Sequence, residues 1–284
     1  MYYHTFMPLQ LFADRHPEFE YFWNWEMDVR FTADYHTLLE QSAQWAREQP
    51  EAGLWERNKR FYIPSFHGSY DEFTLPLDDH GAASGTYQTA HEIKTKHSTS
   101  EADLITYFPM FDINGTRWPH RKYVVGYDHD GRRPPSERYG SVGTNMRFSR
   151  KMLDAMAQEN RHGHALMSEG WPPTLAAQYN MKAVFVPHPV YFDEQWTGQE
   201  LQSTFNGGRS GQVGGSSSSV INRERKFDGS TWYWNSRFAM DTYQRWMGWM
   251  QDGPGSPDVS SKAVYLALRF FADLVHDTVG RSPW

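Results

Sequence analysis

The 284-residue sequence contains no cysteine. Disulfide bridges, thiolate metal sites and cysteine nucleophiles are therefore excluded. Long apolar runs are also missing, since no stretch approaches the roughly 18 apolar residues that a membrane span requires. The N-terminus lacks the basic region and the apolar core of a signal peptide. An excess of basic residues is absent as well, because the net charge is -6, and we therefore expect no nucleic-acid partner.

Aromatic residues, in contrast, are abundant: they make up 16% of the chain, with 12 Trp, 16 Tyr and 18 Phe. Aromatic side chains fill cores more often than they bind ligands, although aromatic surfaces also bind carbohydrates. The most aromatic run is YFWNWEMDVRF, residues 21–31, and it contains three charged residues, Glu26, Asp28 and Arg30. This run therefore raises the question of what three charges do among five aromatic rings.

Alternation along this run favours a strand over a helix, because successive side chains of a strand point to opposite faces. One predicted face is apolar and anchors the strand in the core: Tyr21, Trp23, Trp25, Met27 and Val29. The other face changes from apolar to charged along the strand: Phe22, Asn24, Glu26, Asp28 and Arg30. Two carboxylates at the end of one face suit a hard divalent cation. A strand with one buried face and one charged, solvent-exposed face explains the same pattern without a ligand.

Along the rest of the chain, predicted helices alternate with predicted strands, which indicates an α/β fold. Helices are predicted over 3–15, from an N-cap at Thr32 to about Gln49, and from Ser149 to near Gly163. Strands are predicted within 102–111 and 122–127. Residues 54–100 and 128–143 are predicted to be mostly loop, 206–219 a flexible Gly/Ser-rich loop, and about 260–277 an amphipathic C-terminal helix.

A second informative stretch is SEGWPPTLAAQYNMKAVFVPHPVYFD, which begins at residue 168. Pro172 and Pro173 suit the first turn of a helix, and Asn180 suits the left-handed position that ends one. The segment MKAVFVP then predicts a buried strand. This order places Glu169 just before the helix and His188 just after the strand.

The run at 21–31 resembles the metal-binding strand of GT-A glycosyltransferases, most closely the YWRVEPDVKF type of segment in fungal mannosyltransferases of the secretory pathway. Longer stretches resemble an uncharacterised fungal family that is defined only as a domain of unknown function. They are FMPLQLFADRHPEFEYFWNWEMDVR, LWERNKRFYIP, HGSYDEF and SEGWPPTLAAQYNMKAVFVPHPVYFD.

The GT-A resemblance implies a nucleotide-sugar donor held through Mn²⁺ or Mg²⁺. Asp28 matches the direct metal ligand, and Glu26 matches the position that reaches the donor's ribose or sugar, or the metal through water. Arg30 would neutralise phosphate, or else pair with Glu26 or Asp28. His188 would be a metal ligand, or else a loop histidine bonded to backbone.

Glu169 matches a carboxylate that GT-A enzymes place at the start of a helix near the acceptor. It would be the catalytic base in an inverting enzyme and would bind the acceptor or the sugar in a retaining one. The alternative is a charge that complements the helix dipole.

The resemblance further implies a single GT-A-like domain over residues 1–284, the C-terminal portion of a glycosyltransferase fold, with a mixed sheet flanked by helices. The N-terminal repeats that bind the nucleotide base would be missing, because the acidic strand starts near residue 21. The expected function is transfer of a hexose, with mannose as the first candidate, to a glycan or glycoprotein hydroxyl. Location in the Golgi or secretory lumen would require an N-terminal anchor in the full gene product. The alternative is a non-catalytic carbohydrate-binding or scaffold protein that retains the fold.

Overall fold

The computed structural model describes residues 3–27, 29, 31, 34–83, 100–114, 116, 118–129, 131–187, 197–213, 244, 248 and 249, with side chains in 34–83 described to residue 77. The helices are α1 (Met7–Arg15), α2 (Tyr35–Glu48), α3 (Leu54–Asn58), α4 (Pro64–His67), α5 (Tyr70–Ala83), α6 (Arg150–Arg161), α7 (Trp171–Gln178) and α8 (Gly198–Phe205). The strands are β1 (Tyr21–Asn24), β2 (Leu104–Thr106), β3 (Phe111–Asp112), β4 (Val124–Val125), β5 (Tyr139–Gly140), β6 (Met146–Ser149), β7 (Ala165–Leu166) and β8 (Ala183–Phe185). Short 3-10 helices span Pro119–Lys122 and Arg209–Gly211.

The central sheet has four strands in the order β1-β6-β2-β8. β6 runs antiparallel to both of its neighbours, whereas β2 and β8 are parallel. Helices pack on both faces of this sheet, so the chain has a mixed α/β fold with a mixed sheet flanked by helices. The coarse fold prediction is therefore confirmed. Two separate two-stranded antiparallel sheets pair β3 with β5 and β4 with β7.

The two faces of the sheet belong to two separate hydrophobic clusters. On one face, Phe22, Leu104 and Phe148 occupy one row across three strands and pack with residues of α1, α6 and α7. On the other face, Ile105 and Val184 pack against α2. The sheet is therefore a middle layer, with apolar side chains on both sides.

This layering corrects the prediction for the strand at 21–31. β1 has only four residues, and the most buried of them is Phe22, which is 5% exposed and lies on the face predicted to become charged. Met27, predicted to face the core, is 91% exposed.

The prediction was wrong because both faces of β1 carry packing residues and the strand ends at Asn24, before the charged residues. Phe22 contacts Phe12 of α1 on one face, and Trp23 stacks on Tyr107 on the other. Beyond the strand the chain turns, and Val29 N donates to Glu26 O at 3.3 Å.

Three other boundary predictions are corrected. Residues 54–83 form three helices rather than loop, because α3 and α4 are too short for helical periodicity to be recognised and α5 contains Pro76. The N-cap of α2 is Asp34 rather than Thr32, and its carboxylate accepts from Thr37 N at 2.7 Å. The predicted loop at 128–143 contains β5.

Local signals around α6 and α7 are confirmed. Ser149 is the N-cap of α6, and its hydroxyl accepts from Met152 N at 3.1 Å. Pro172 and Pro173 lie in the first turn of α7, and Asn180 has a φ of 49°. Of the loop predicted at 206–219, the described part contains the 3-10 helix at Arg209–Gly211. The helix predicted at about 260–277 lies outside the described residues.

The outer edge of β8 is closed by one side chain. Asn58, which is 2% exposed, donates from Nδ2 to Ala183 O at 2.7 Å and accepts at Oδ1 from Phe185 N at 2.9 Å. The amide side chain thereby satisfies the two backbone groups that a further strand would bind.

None of the helices in the described ranges has the length and apolar character needed to cross a membrane.

Candidate functional site

Three strands of the central sheet end at the same edge. β1, β2 and β8 run in one direction, since β6 is antiparallel to both β1 and β2 and β8 is parallel to β2. The residues after these three strands and the residues before β6 therefore share that edge. In open α/β sheets, ligands bind at the carboxyl ends of strands. Glu26 follows β1 here, and loop 141–145, which we call the bridging loop, leads into β6.

The bridging loop holds Glu26 through two neighbouring residues. Thr144 donates to Glu26 Oε1 from its backbone N at 2.9 Å and from its hydroxyl at 2.7 Å. Asn145 Oδ1 accepts from Glu26 N at 2.8 Å, and Asn24 Nδ2 donates to Thr144 O at 2.6 Å. Both the backbone and the carboxylate of Glu26 are consequently fixed, although the chain has already left the strand.

The same loop holds Glu169. Gly143 N donates to Glu169 Oε1 at 2.6 Å, and Ser141 N donates to Glu169 O at 2.9 Å. Glu169 lies two residues before the first residue of α7, Trp171, as the sequence predicted. The consecutive amides of Gly143 and Thr144 thus bind the two carboxylates, one each. The structure therefore brings Glu26 and Glu169 together on one loop.

Open space adjoins the bridging loop at Gly143. This residue has a φ of +83°, and a Cβ placed on it would have no heavy atom within 4 Å. The peptide that binds Glu169 is thus not covered by other described atoms on that side. The loop is half-buried at this point, and open space lies beside Gly143.

Aromatic packing fixes the end of β1 from the other face. Trp23 stacks on Tyr107 with ring centroids 6.2 Å apart, and Trp25 contacts the same ring edge-on at 5.8 Å. The Tyr107 hydroxyl lies 2.8 Å from Ser42 Oγ. Burial raises the pKa of Tyr107 well above its ordinary value, so the hydroxyl stays protonated at neutral pH. This packing fixes the position of β1, the strand that leads to Glu26.

A small, partly open depression lies at the carboxyl end of β8. Its wall includes the rings of Tyr62, Tyr70 and Phe73, together with Arg60 and Pro187. The edge of the sheet thus presents polar groups near β1 and β6 and an aromatic concave surface near β8.

Asp28, Arg30 and His188 lie outside the described residues. The strands that lead to Asp28 and His188, β1 and β8, are the two outer strands of the sheet. Three strand spacings of about 4.8 Å separate them, roughly 14 Å in all. Whether Asp28 and His188 share one metal therefore depends on the segments that follow β1 and β8. The shared metal site stays a prediction.

The carboxylate of Glu26 is suited to bind a cation or to accept a hydrogen bond from a hydroxyl group. Its Oε1 accepts both bonds from Thr144, whereas Oε2 accepts none from the described residues and is not a fully buried atom. Carboxylate oxygens are preferred ligands of Mn²⁺ and Mg²⁺. Within the described part of the chain, no group of three or more His, Asp or Glu side chains could hold a metal.

Sequence reasoning missed the bridging loop. Its residues stand 118 positions from Glu26 in the chain, and nothing in the segment SVGTN indicates that its amides bind carboxylates. The small polar composition of this segment was the available signal. It indicates a turn without indicating which residues the turn contacts.

The chain belongs to a family described as protein of unknown function DUF3405, whose model matches residues 1–271. This result confirms the predicted membership in a domain-of-unknown-function family. Neither a curated protein nor a solved structure matches the chain.

Replacement of Thr144 by valine tests whether the loop holds Glu26. Valine has the shape of threonine but lacks the hydroxyl that donates to Glu26 Oε1, and Thr144 is only 8% exposed. We expect the free energy of unfolding to fall by about 1–2 kcal/mol, because a hydrogen bond to a charged group is lost. Urea denaturation measures this change. Thr144→Ser keeps the hydroxyl and serves as the control, and equal stabilities of all three proteins would contradict the role of this bond.

Proposed function

We propose that this chain is a metal-dependent glycosyltransferase with a GT-A-like fold, which moves a hexose from a nucleotide sugar to a glycan hydroxyl. The observation that carries the proposal is that one loop binds Glu26 and Glu169 through the consecutive amides of Thr144 and Gly143. The sequence resemblance assigned these two carboxylates to the donor and acceptor sides of one site. Their attachment to a single loop at the carboxyl-end edge of the sheet supports that assignment.

In the proposed reaction the acceptor hydroxyl oxygen forms a bond to the anomeric carbon of the donor sugar. The bond between that carbon and the diphosphate oxygen breaks, and the diphosphate leaves with the bonding electron pair. Glu169 takes the proton of the acceptor hydroxyl as general base. Because Gly143 N already donates to Glu169 Oε1, the carboxylate is oriented before the substrate binds. This role for Glu169 corresponds to an inverting enzyme.

The donor side consists of Glu26, Asp28, Arg30 and His188. Asp28 and His188 would hold Mn²⁺ or Mg²⁺, and a bound cation would offset negative charge on the leaving diphosphate. Glu26 would accept from a hydroxyl of the donor's ribose or sugar through Oε2, and Arg30 would neutralise phosphate. A non-catalytic carbohydrate-binding protein is the second candidate, since the bridging loop orients Glu26 without any cation.

Calorimetric titration with GDP and with UDP, each with and without Mn²⁺, tests the donor site. We expect one nucleotide to bind only when Mn²⁺ is present. Asp28→Ala should weaken that binding at least about 100-fold, because it removes the proposed metal ligand. Asp14→Ala, an exposed aspartate on α1, is the control and should bind like the unaltered chain. Binding without Mn²⁺, or full binding by Asp28→Ala, would contradict the proposed site.

A further inference from the structure

We propose that Asn145 and Glu26 together bind a pair of neighbouring hydroxyl groups on the sugar substrate. This inference rests on the proposed function and adds a specificity-determining residue to it. Asn145 was not singled out by any sequence motif, and the structure places it beside Glu26 in the bridging loop.

The orientation of the Asn145 amide follows from its one bond. Its Oδ1 accepts from Glu26 N at 2.8 Å, so the oxygen faces the backbone of Glu26 and Nδ2 points away from it. Glu26 is oriented in the same manner, because Thr144 occupies Oε1 with two donors and leaves Oε2. Two side chains from distant parts of the sequence are thus fixed next to each other before any ligand binds.

Both of the remaining atoms have unused bonding capacity. Among the described residues, Asn145 Nδ2 has no acceptor and Glu26 Oε2 has no donor, and neither atom is among the fully buried polar atoms without a partner. Both atoms therefore reach solvent. A half-buried polar group that is rigidly held and still open to solvent is available to a ligand at little cost in side-chain entropy.

The chemistry of the pair selects hydroxyl groups. Nδ2 can only donate and a carboxylate oxygen can only accept, whereas a hydroxyl does both. Two neighbouring hydroxyls can therefore accept from Asn145 and donate to Glu26 at the same time. A diphosphate that is esterified at both ends carries negative charge and no donor at neutral pH, so the carboxylates of Glu26 and Glu169 repel it. Open space also lies at Gly143, two residues before Asn145 in the same loop.

The test uses the full chain labelled with ¹⁵N-asparagine and observed by NMR. The probes are the methyl α-pyranosides of mannose, glucose and galactose, and 2-(hydroxymethyl)tetrahydropyran is a ring without neighbouring hydroxyls. The side-chain NH₂ signals of Asn145 are identified by their loss in Asn145→Asp. This variant keeps the oxygen that accepts from Glu26 N but lacks the donor. Asn145→Ser replaces the amide by a shorter hydroxyl and so removes Nδ2 without adding charge. Asn180→Asp makes the same charge change as Asn145→Asp at an exposed site.

We expect at least one methyl hexoside to shift the Asn145 NH₂ signals, and the diol-free ring to leave them unchanged. Both Asn145 variants should bind that hexoside at least about tenfold more weakly, and Asn180→Asp should bind it normally. If hexosides or nucleotide sugars bind without shifting these NMR signals, and the variants bind them as tightly as the unaltered chain does, Asn145 does not bind the sugar. This conclusion does not depend on whether calorimetry shows nucleotide binding. If no hexoside and no nucleotide sugar moves the signals, the inference is also wrong. If hexosides bind through Asn145 but no nucleotide binds, the inference holds and the transferase proposal fails.

Discussion

Replacement of Glu169 by glutamine is expected to lower the rate of hexose transfer by about 10²–10⁴-fold, the usual contribution of a general base. Glutamine keeps an oxygen that can accept from Gly143 N, so the bridging loop should retain its conformation. Nucleotide binding should not change, because Glu169 lies on the acceptor side of the proposed site. The measurement is a transfer assay with the donor identified by calorimetry, in which kcat and KM are determined separately.

The control for this prediction is Glu20→Gln, an exposed carboxylate whose side chain makes no hydrogen bond with the described residues. It should transfer hexose at the normal rate. A raised KM for the acceptor with kcat unchanged in Glu169→Gln would show that Glu169 binds the acceptor, as in a retaining enzyme, and would contradict its assignment as the base.

Replacement of Asn58 by alanine is expected to lower the free energy of unfolding by about 2–5 kcal/mol. The substitution leaves Phe185 N without an acceptor and Ala183 O without the donor at the β8 edge, in a place where Asn58 is 2% exposed. Each buried polar group left unpaired costs about 1–3 kcal/mol. Urea denaturation followed by circular dichroism measures the loss.

Gln44→Ala, on the exposed side of α2, is the comparison for Asn58→Ala and should change stability by less than about 0.5 kcal/mol. Asn58→Asp separates the two bonds, since it keeps an acceptor for Phe185 N and loses the donor to Ala183 O. An unfolding midpoint of Asn58→Ala equal to that of the unaltered chain would show that solvent or a neighbouring group replaces both bonds.

Features that act within a few residues were predicted correctly from the sequence. The cap at Ser149, the prolines at the start of α7 and the left-handed Asn180 each depend on their own backbone geometry. The position of Glu169 before α7 followed from the same local signals. Such features need no knowledge of the remaining chain.

Features that depend on distant contacts were missed. The burial of Phe22 depends on its packing with residues of α1, α6 and α7, of which α6 and α7 lie far from it in the chain. The attachment of Glu26 depends on Thr144, 118 residues away in the chain. Alternation within 21–31 could not reveal these distant contacts. Glu26 is held by the bridging loop and not by strand pairing.

A crystal structure of the chain with Mn²⁺ and the nucleotide sugar identified by calorimetry tests the central claim most directly. We predict an anomalous manganese peak at the carboxyl-end edge of the sheet and sugar density between Glu26 and Glu169, beside Gly143. A bound nucleotide sugar whose hexose lies away from the bridging loop would contradict the account, because the two carboxylates would then not belong to one site.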